Sequence, residues 1–519
     1  VQLTFYGAAD CVTGSCFLLD TGKMRIMVDC GLFQGRKEIR QRNYGSFPFA
    51  AESIDLVLLT HAHIDHSGLI PKLVKHGFKG PVLGTECTVD LCHVLMPDSG
   101  SIQEAEVERK NRKAVRAGKP EVEPIYTMGD AYACLGQFSP VRYNQEVILG
   151  DGVRCRFRDA GHILGSALIE IWARDPEGET KIVFSGDLGS KGKPLVRDPE
   201  YVEEADYLVL ESTYGDRVHQ EDYTESREKL KEVIWTSYRK GGNLLIPAFA
   251  IERTQELLYD IFAFARAGEL PPVNIWLDSP LASAVTNIFG DHPHCYDEEA
   301  SGMLACGIDP LGLPQLNHAL SVDESKALNE SPGGNVIIAG SGMCDAGRIR
   351  HHLKHNLWRP EATVLFVGYQ AEGTLGRMLL DGAEKVRLFG EEIVVRAEIV
   401  NVRGYSAHAD QNTLREWVDA FRRPPERVFL VHGENPAQLA LQQVLAEIGV
   451  EAYRPAWQET VSLEPGRRPD ERVWQVFSDL RSRTAQYLKA NPDPESCRRV
   501  LDKLAELKEF LVAGGGGRG

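Results

Sequence analysis

Long apolar runs are missing from this 519-residue chain, and none reaches the roughly 18 residues that a membrane-spanning helix needs. The first residues, VQLTFYGAADCVTG, have no basic head followed by an apolar core, so no secretory leader is expected. Ordered cysteine spacing is missing too. Eleven cysteines, an odd number, are scattered without a CxxC pair, which excludes a disulfide scaffold and fits reduced, mostly buried thiols in a cytoplasmic protein. Positive charge is in deficit: 58 Lys and Arg stand against 74 Asp and Glu, for a net charge of −16. That balance argues against a broad nucleic-acid-binding surface but leaves room for a narrow basic groove between domains. No internal repeat is visible, and the only low-complexity segment is the glycine-rich end, residues 514–519, which is expected to be disordered. At this length two or three domains are expected, because single cores stop growing at about 250–300 residues.

What is present is concentrated in residues 54–69, IDLVLLTHAHIDHSGL. The apolar run up to Leu59 predicts a buried strand, and Leu69, Ile70, Leu73 and Val74 predict an amphipathic helix that stops at Gly77. Between them lie His61, His63, Asp65 and His66, four metal-ligand side chains within six residues. In an extended connection His61 and His63 point the same way, because side-chain direction repeats every two residues. Asp65 and His66 come as the chain turns and aim elsewhere, so one segment can serve two adjacent ions.

The same layout recurs along the chain: an apolar strand, small residues, then one acidic or imidazole side chain. Asp29 closes the strand before Gly31, His162 lies in DAGHILGS, Asp187 in SGDLGS, and Glu211 ends YLVLE. His408 lies in GYSAHAD and His432 follows the strand VFLV. Loops at strand ends can converge on one point in layered α/β proteins. Seven donors, His61, His63, Asp65, His66, His162, Asp187 and His432, are too many for one tetrahedral ion. They suit two ions sharing a carboxylate, and imidazole with carboxylate suits zinc or a similar divalent metal. Paired ions supply a hydroxide near neutral pH, so the chemistry indicated is hydrolysis.

His61-Ala62-His63-Ile64-Asp65-His66 resembles the HxHxDH signature of the metallo-β-lactamase superfamily, with Asp29, His162 and Asp187 matching its other motifs in type and order. Glu211, His408 and His432 match the further motifs of the β-CASP nucleases, and a histidine at 432 resembles the RNA-acting branch. The resemblance covers about residues 1–460 and is closest to the short bacterial ribonucleases. It implies an αββα sandwich, residues 1–213 and 396–460, with an α/β domain inserted at 214–395. It also implies two zinc ions, one held by His61, His63 and His162 and the other by Asp65, His66 and His432, with Asp187 bridging. Asp29 would orient the ligand loop. A metal-bridging hydroxide would attack RNA phosphorus, with Asp65 and Asp187 completing the catalytic group. His408 would protonate the leaving oxygen and Glu211 would hold it. Endonuclease and 5′→3′ exonuclease action are both open. A small-molecule ester, thioester or lactone hydrolase and a non-catalytic RNA-binding scaffold are the alternatives; the intact ligand set and extra motifs speak against both.

The inserted region alternates helices and parallel-type strands, and its expected task is to grip RNA. Ser341 and Gly342, in a glycine turn between a strand and a helix, offer backbone N–H groups to a phosphate, with Arg253 and Arg377 as charged contacts. Residues 291–322, rich in Pro, Gly and His, read as a long loop or lid, and 98–117 as a polar helix. Residues 467–513 read as a helical hairpin whose apolar stripes dock on the body or form a homodimer.

Overall fold

The computed structural model describes residues 1–176, 178–219, 222–371, 373–465 and 471–514. Among these, two seven-stranded sheets face each other. The first runs in the order Thr460–Ser462, Gln2–Phe5, Phe17–Asp20, Arg25–Val28, Leu56–Leu58, Val82–Thr85 and Phe138–Val141. The second runs Ala452–Tyr453, Arg427–Val431, Tyr207–Glu211, Gly178–Phe184, Ala167–Asp175, Val153–Asp159 and Glu146–Gly150.

Period-two alternation sorts their side chains into layers. Phe17, Leu19, Ile26, Val28, Leu56 and Leu58 face the second sheet and pack with Phe157, Ile169, Phe184, Val209 and Phe429. Their neighbours Leu18, Met27, Val57 and Leu59 face outward onto Leu69, Leu73, Leu91 and Leu95 of the covering helices. On the far side, Leu208, Leu210, Val428 and Leu430 meet Leu414, Trp417, Leu441 and Leu445. Helix, sheet, sheet, helix is the αββα order that the resemblance implied. Each fully buried Leu, Val or Phe stabilises this arrangement by about 1.5–3 kcal/mol.

The inserted domain carries a third sheet of six parallel strands, in the order Leu316–His318, Asn274–Leu277, Asn335–Ala339, Leu244–Pro247, Thr363–Phe366 and Glu398–Asn401. Its last strand lies beyond the sequence boundary at 395. Glu398–Asn401 pairs in register with Thr363–Phe366, so the inserted domain reaches at least Asn401. Residues 291–322 are not one loop. They hold the turn Pro293–Cys295, the helix Glu298–Ala305 and the edge strand Leu316–His318. The polar helix begins earlier than its charge suggests, at Glu86 under a Thr85 cap, and runs to Arg116 with Pro97 inside it.

The tail forms two helices, Glu471–Ala490 and Pro494–Gly514, as the hairpin reading expects. Of its apolar stripes, Leu480, Leu501 and Leu504 are exposed, while Leu488, Val500 and Leu507 are half-buried. The expected disorder of 514–519 falls on residues outside the described ones, except Gly514, which ends the second helix. No helix among the described residues is long and apolar enough to cross a membrane.

Candidate metal centre

All seven expected donors come together at the strand ends of the two facing sheets, with Glu211 and His408 beside them. His61 and His63 follow the strand Leu56–Leu58, while Asp65 and His66 lie in the single turn Ile64–Ser67. The turn fits because Gly31 has no side chain: a Cβ there would fall 1.6 Å from the Asp65 carbonyl oxygen.

His63 Nδ1 lies 3.1 Å from His61 Nε2 and 3.3 Å from His162 Nε2. Asp187 Oδ2 lies 3.5 Å from His61 Nε2 and 3.6 Å from His162 Nε2. With metal–nitrogen bonds of about 2.0–2.1 Å, tetrahedral donors sit about 3.3 Å apart. These four atoms therefore stand at the spacing one zinc ion needs. The other Asp187 oxygen, Oδ1, lies 3.2 Å from His66 Nε2 and 3.5 Å from His432 Nδ1, and His432 Nε2 lies 3.6 Å from Asp65 Oδ2. Asp65, His66 and His432 form a second group whose ligand atoms lie within 4.8 Å of one another. Asp187 Oδ1 and His432 Nε2 are buried without a hydrogen bond, since the His66 approach to Oδ1, though close, is poorly aligned. Orphaned inward atoms of this kind are costly unless a cation satisfies them.

The outward nitrogens are held by the chain. Asp29 Oδ2 accepts from His66 Nδ1 at 2.7 Å and from the Thr60 hydroxyl at 2.8 Å, while Oδ1 accepts from the Thr60 amide. Thr60 Oγ1 lies 3.0 Å from His61 Nδ1, Thr213 Oγ1 3.0 Å from His432 Nδ1, and the Ala407 carbonyl 3.4 Å from His162 Nδ1. Such partners fix the tautomer and aim of a ligand. Asp29 and His432 both sit at positive φ, +58° and +50°, a strained backbone that only a tightly packed site maintains. Sequence reasoning missed Thr60 and Thr213. Their signal was position: each is a hydroxyl residue within one or two places of a ligand motif.

Electrostatics follow from burial. It pushes His61 and His162 well below the ordinary imidazole range and His63 down to about 4, the neutral form that ligates metal. His408 goes the other way. Burial alone would lower it, but the Glu211 carboxylate, 3.3 Å from its Nδ1, and then Asp187 and Asp65 raise it to about 9. Glu211 is itself pinned by the Leu188 and Thr213 amides. The ring of His408 lies 4.5 Å from that of His162.

The expected phosphate contacts fare differently. Ser341 and Gly342 lie in a tight turn where Ser341 N–H donates to the Ala346 carbonyl, and the helix begins only at Ile349. Met343 accepts from Gly376 N–H, which brings the GTLGR segment against this turn. Arg377 pairs with Asp381, 3.0 Å away, at half-exposed positions. Arg253 is buried and paired with Glu256, so its charge is already satisfied inside the domain. Two aromatics that sequence reasoning passed over are exposed, Phe249 beside the turn and Tyr369 just after the strand Thr363–Phe366. A Cβ on Gly342 would meet the Phe249 ring at 2.7 Å, so glycine lets the ring lie flat on the backbone. Glu252, a buried residue at φ +64°, accepts from the Leu164 amide and ties the inserted domain to the loop carrying His162.

Comparison with known proteins finds three family matches along the chain. The metallo-β-lactamase superfamily model covers residues 9–234, the Beta-Casp domain model 254–379, and a Zn-dependent metallo-hydrolase RNA specificity domain 392–455. A ribonuclease of Thermus thermophilus is 38% identical over 451 residues, 87% of this chain and 97% of the relative. The chain belongs to the β-CASP family of the metallo-β-lactamase superfamily. An RNase J-like protein of Methanocaldococcus jannaschii is 30% identical, with 86% of this chain and 95% of that one covered. The transcription termination factor FttA of Methanosarcina mazei is 31% identical, with 89% and 72% covered. In fold, a protein of unknown function from Enterococcus faecalis superposes with a TM-score of 0.51 at 13% identity, covering 89% of this chain and 99% of that one.

Proposed function

We propose that this β-CASP chain is a zinc-dependent ribonuclease that hydrolyses RNA phosphodiester bonds at the seven-donor centre. The observation that carries this is the pairing of two donor groups around Asp187 with His408, whose Nδ1 lies 3.3 Å from Glu211. His61, His63 and His162 would hold one zinc, Asp65, His66 and His432 the other, with Asp187 between them. When bound, the pair supplies hydroxide near neutral pH and positive charge for the phosphate oxygens.

The chain's own residues do the rest. Asp29 and Thr60 keep His66 and His61 aimed inward, so the donors need no reorganisation during the reaction. His408, with Nδ1 held by Glu211, turns Nε2 to the scissile bond and protonates the leaving 3′ oxygen. In the inserted domain, the Gly342 amide meets phosphate, the Ser341 amide being taken by Ala346, while Arg377 adds charge and Phe249 and Tyr369 stack bases. RNA as substrate is supported by the RNA specificity domain match and the ribonuclease relative. A cytoplasmic setting suits eleven cysteines that are all unpaired. The exposed apolar stripe of the tail would be the contact if the chain forms a homodimer.

The deciding experiment incubates purified protein with end-labelled RNA, DNA and a generic ester. Cleavage of RNA alone, abolished by chelation and restored by zinc, is the expected result; ester turnover with intact RNA would overturn it. The product ladder separates endonuclease from 5′→3′ exonuclease action.

A further inference from the structure

A second cluster of ligating side chains lies outside the seven-donor centre, where the first domain meets the inserted one. Cys87 sits in the first turn of the helix Glu86–Arg116. His292 caps the end of the helix Pro280–Asp291, and His294 and Cys295 lie in the single turn Pro293–Cys295. Ligand atoms of Cys87, His292 and His294 all lie within 4.8 Å of one another. The sulfurs of Cys87 and Cys295 are 3.0 Å apart although 208 residues separate them. Asp90, three residues after Cys87, lies 2.7 Å from His292 Nε2. That pairing sets the tautomer in which Nδ1 is the donor, as carboxylates do for metal-ligating histidines.

Both thiols and His292 are buried, while the His294 imidazole is 59% exposed. Without a cation, the adjoining Cys295 and burial hold the Cys87 thiol neutral, far above the ordinary thiol range. A divalent ion reverses that, because a coordinating thiol gives up its proton to solvent. Sulfur and imidazole donors at one point suit zinc.

We propose that Cys87, His292 and His294 hold a further zinc ion that pins the inserted domain to the first. The pin stands beside the catalytic loop. A Cβ on Gly165, three residues after His162, would fall 2.5 Å from that of Cys87, and the Thr85 and Thr88 hydroxyls donate to the Gly165 carbonyl. Arg197 of the first domain donates to the carbonyls of His294 and Tyr296, holding the same turn from the other side. Metal in this site therefore fixes the wall that carries His162 without touching substrate.

Cobalt(II) gives a direct test, because the seven-donor centre contains no sulfur. The full-length protein, stripped of metal and reloaded with cobalt(II) chloride under a phosphine reductant, is expected to show a near-ultraviolet thiolate-to-cobalt absorption band. The band should vanish in Cys87→Ser and in His294→Ala, whose exposed imidazole makes misfolding an unnecessary explanation. It should persist in Cys306→Ser, an exposed cysteine elsewhere, and in His61→Ala. Zinc analysis should find one ion per chain fewer in His294→Ala than in the parent. A band and zinc content unchanged in both Cys87→Ser and His294→Ala would overturn the site. So would a Cys87–Cys295 disulfide in unreduced protein together with no band after reduction.

Discussion

In the candidate metal cleft, four of the five candidate ligand histidines have one ring nitrogen held by the chain. At the glycine turn of the inserted domain, the neighbouring arginines have instead found carboxylates: Arg253 pairs with Glu256, and Arg377 with Asp381. The cleft keeps its charge unsatisfied and buried, which is costly unless a metal binds. The turn keeps its charge neutralised, inside the domain at Arg253 and at the surface at Arg377, and exposes an aromatic face.

The contrast is broken most severely at Asp187, the carboxylate common to both ligand groups. Asp187→Ala is expected to reduce cleavage by at least about 10⁴-fold, in the range of losing an essential catalytic group. It should also lower metal content, read by elemental analysis. His408→Ala sharpens the cleft's own division of labour. A loss of about 10²–10⁴-fold is expected from removing a general acid, with metal content retained; loss of the metal would place His408 among the ligands. The acid must be protonated to act. With its pKa raised to about 9, activity should hold through neutral pH and fall as pH rises through about 9. Glu211→Gln removes the carboxylate that lies 3.3 Å from its Nδ1 and raises it, so the alkaline limb should move to lower pH. A limb that stays in place would separate His408 from that titration.

The difference between the two regions also explains what was legible in the sequence. Metal chemistry demands particular side chains, and His61, His63, Asp65, His66, His162, Asp187 and His432 could be read as residue types at strand ends. The layers were legible as well, because alternation in FLL, RIMV and LVL assigns each residue a face. Ion pairing was not. That Arg253 spends its charge on Glu256, three residues later on one helix, depends on burial that only packing decides. The start of the helix Glu86–Arg116 was hidden because Pro97 interrupts an apolar stretch whose residues face the body rather than solvent. The last strand of the third sheet was hidden because EIVN is short and mostly half-buried, and only its partner Thr363–Phe366 reveals its domain.

Asp29 tests the rigidity of the cleft at smaller cost. Asp29→Ala removes the acceptor of His66 and Thr60, and about a 10–100-fold loss of metal affinity is expected, as for other orienting partners. Excess zinc should restore cleavage; failure of zinc to do so would give Asp29 a part in the reaction itself.

The turn should yield the smallest catalytic effects. Ser341→Glu with Arg377→Ala places a negative charge against the incoming phosphate and removes an exposed positive one. Exposed pairs such as Arg377–Asp381 are worth about 0–1 kcal/mol, and one lost phosphate contact lowers the salt dependence of binding by about one unit of slope. RNA binding should therefore weaken by about tenfold with a shallower salt slope, while the rate at saturating RNA stays within about twofold. Arg253→Ala separates the two kinds of arginine. It leaves the buried Glu256 carboxylate without its partner, a loss of about 3–5 kcal/mol for a broken buried pair. It should therefore lower the melting temperature while leaving the salt slope unchanged. The reverse pattern, with Arg253→Ala changing the slope and Arg377→Ala changing the melting temperature, would exchange their roles.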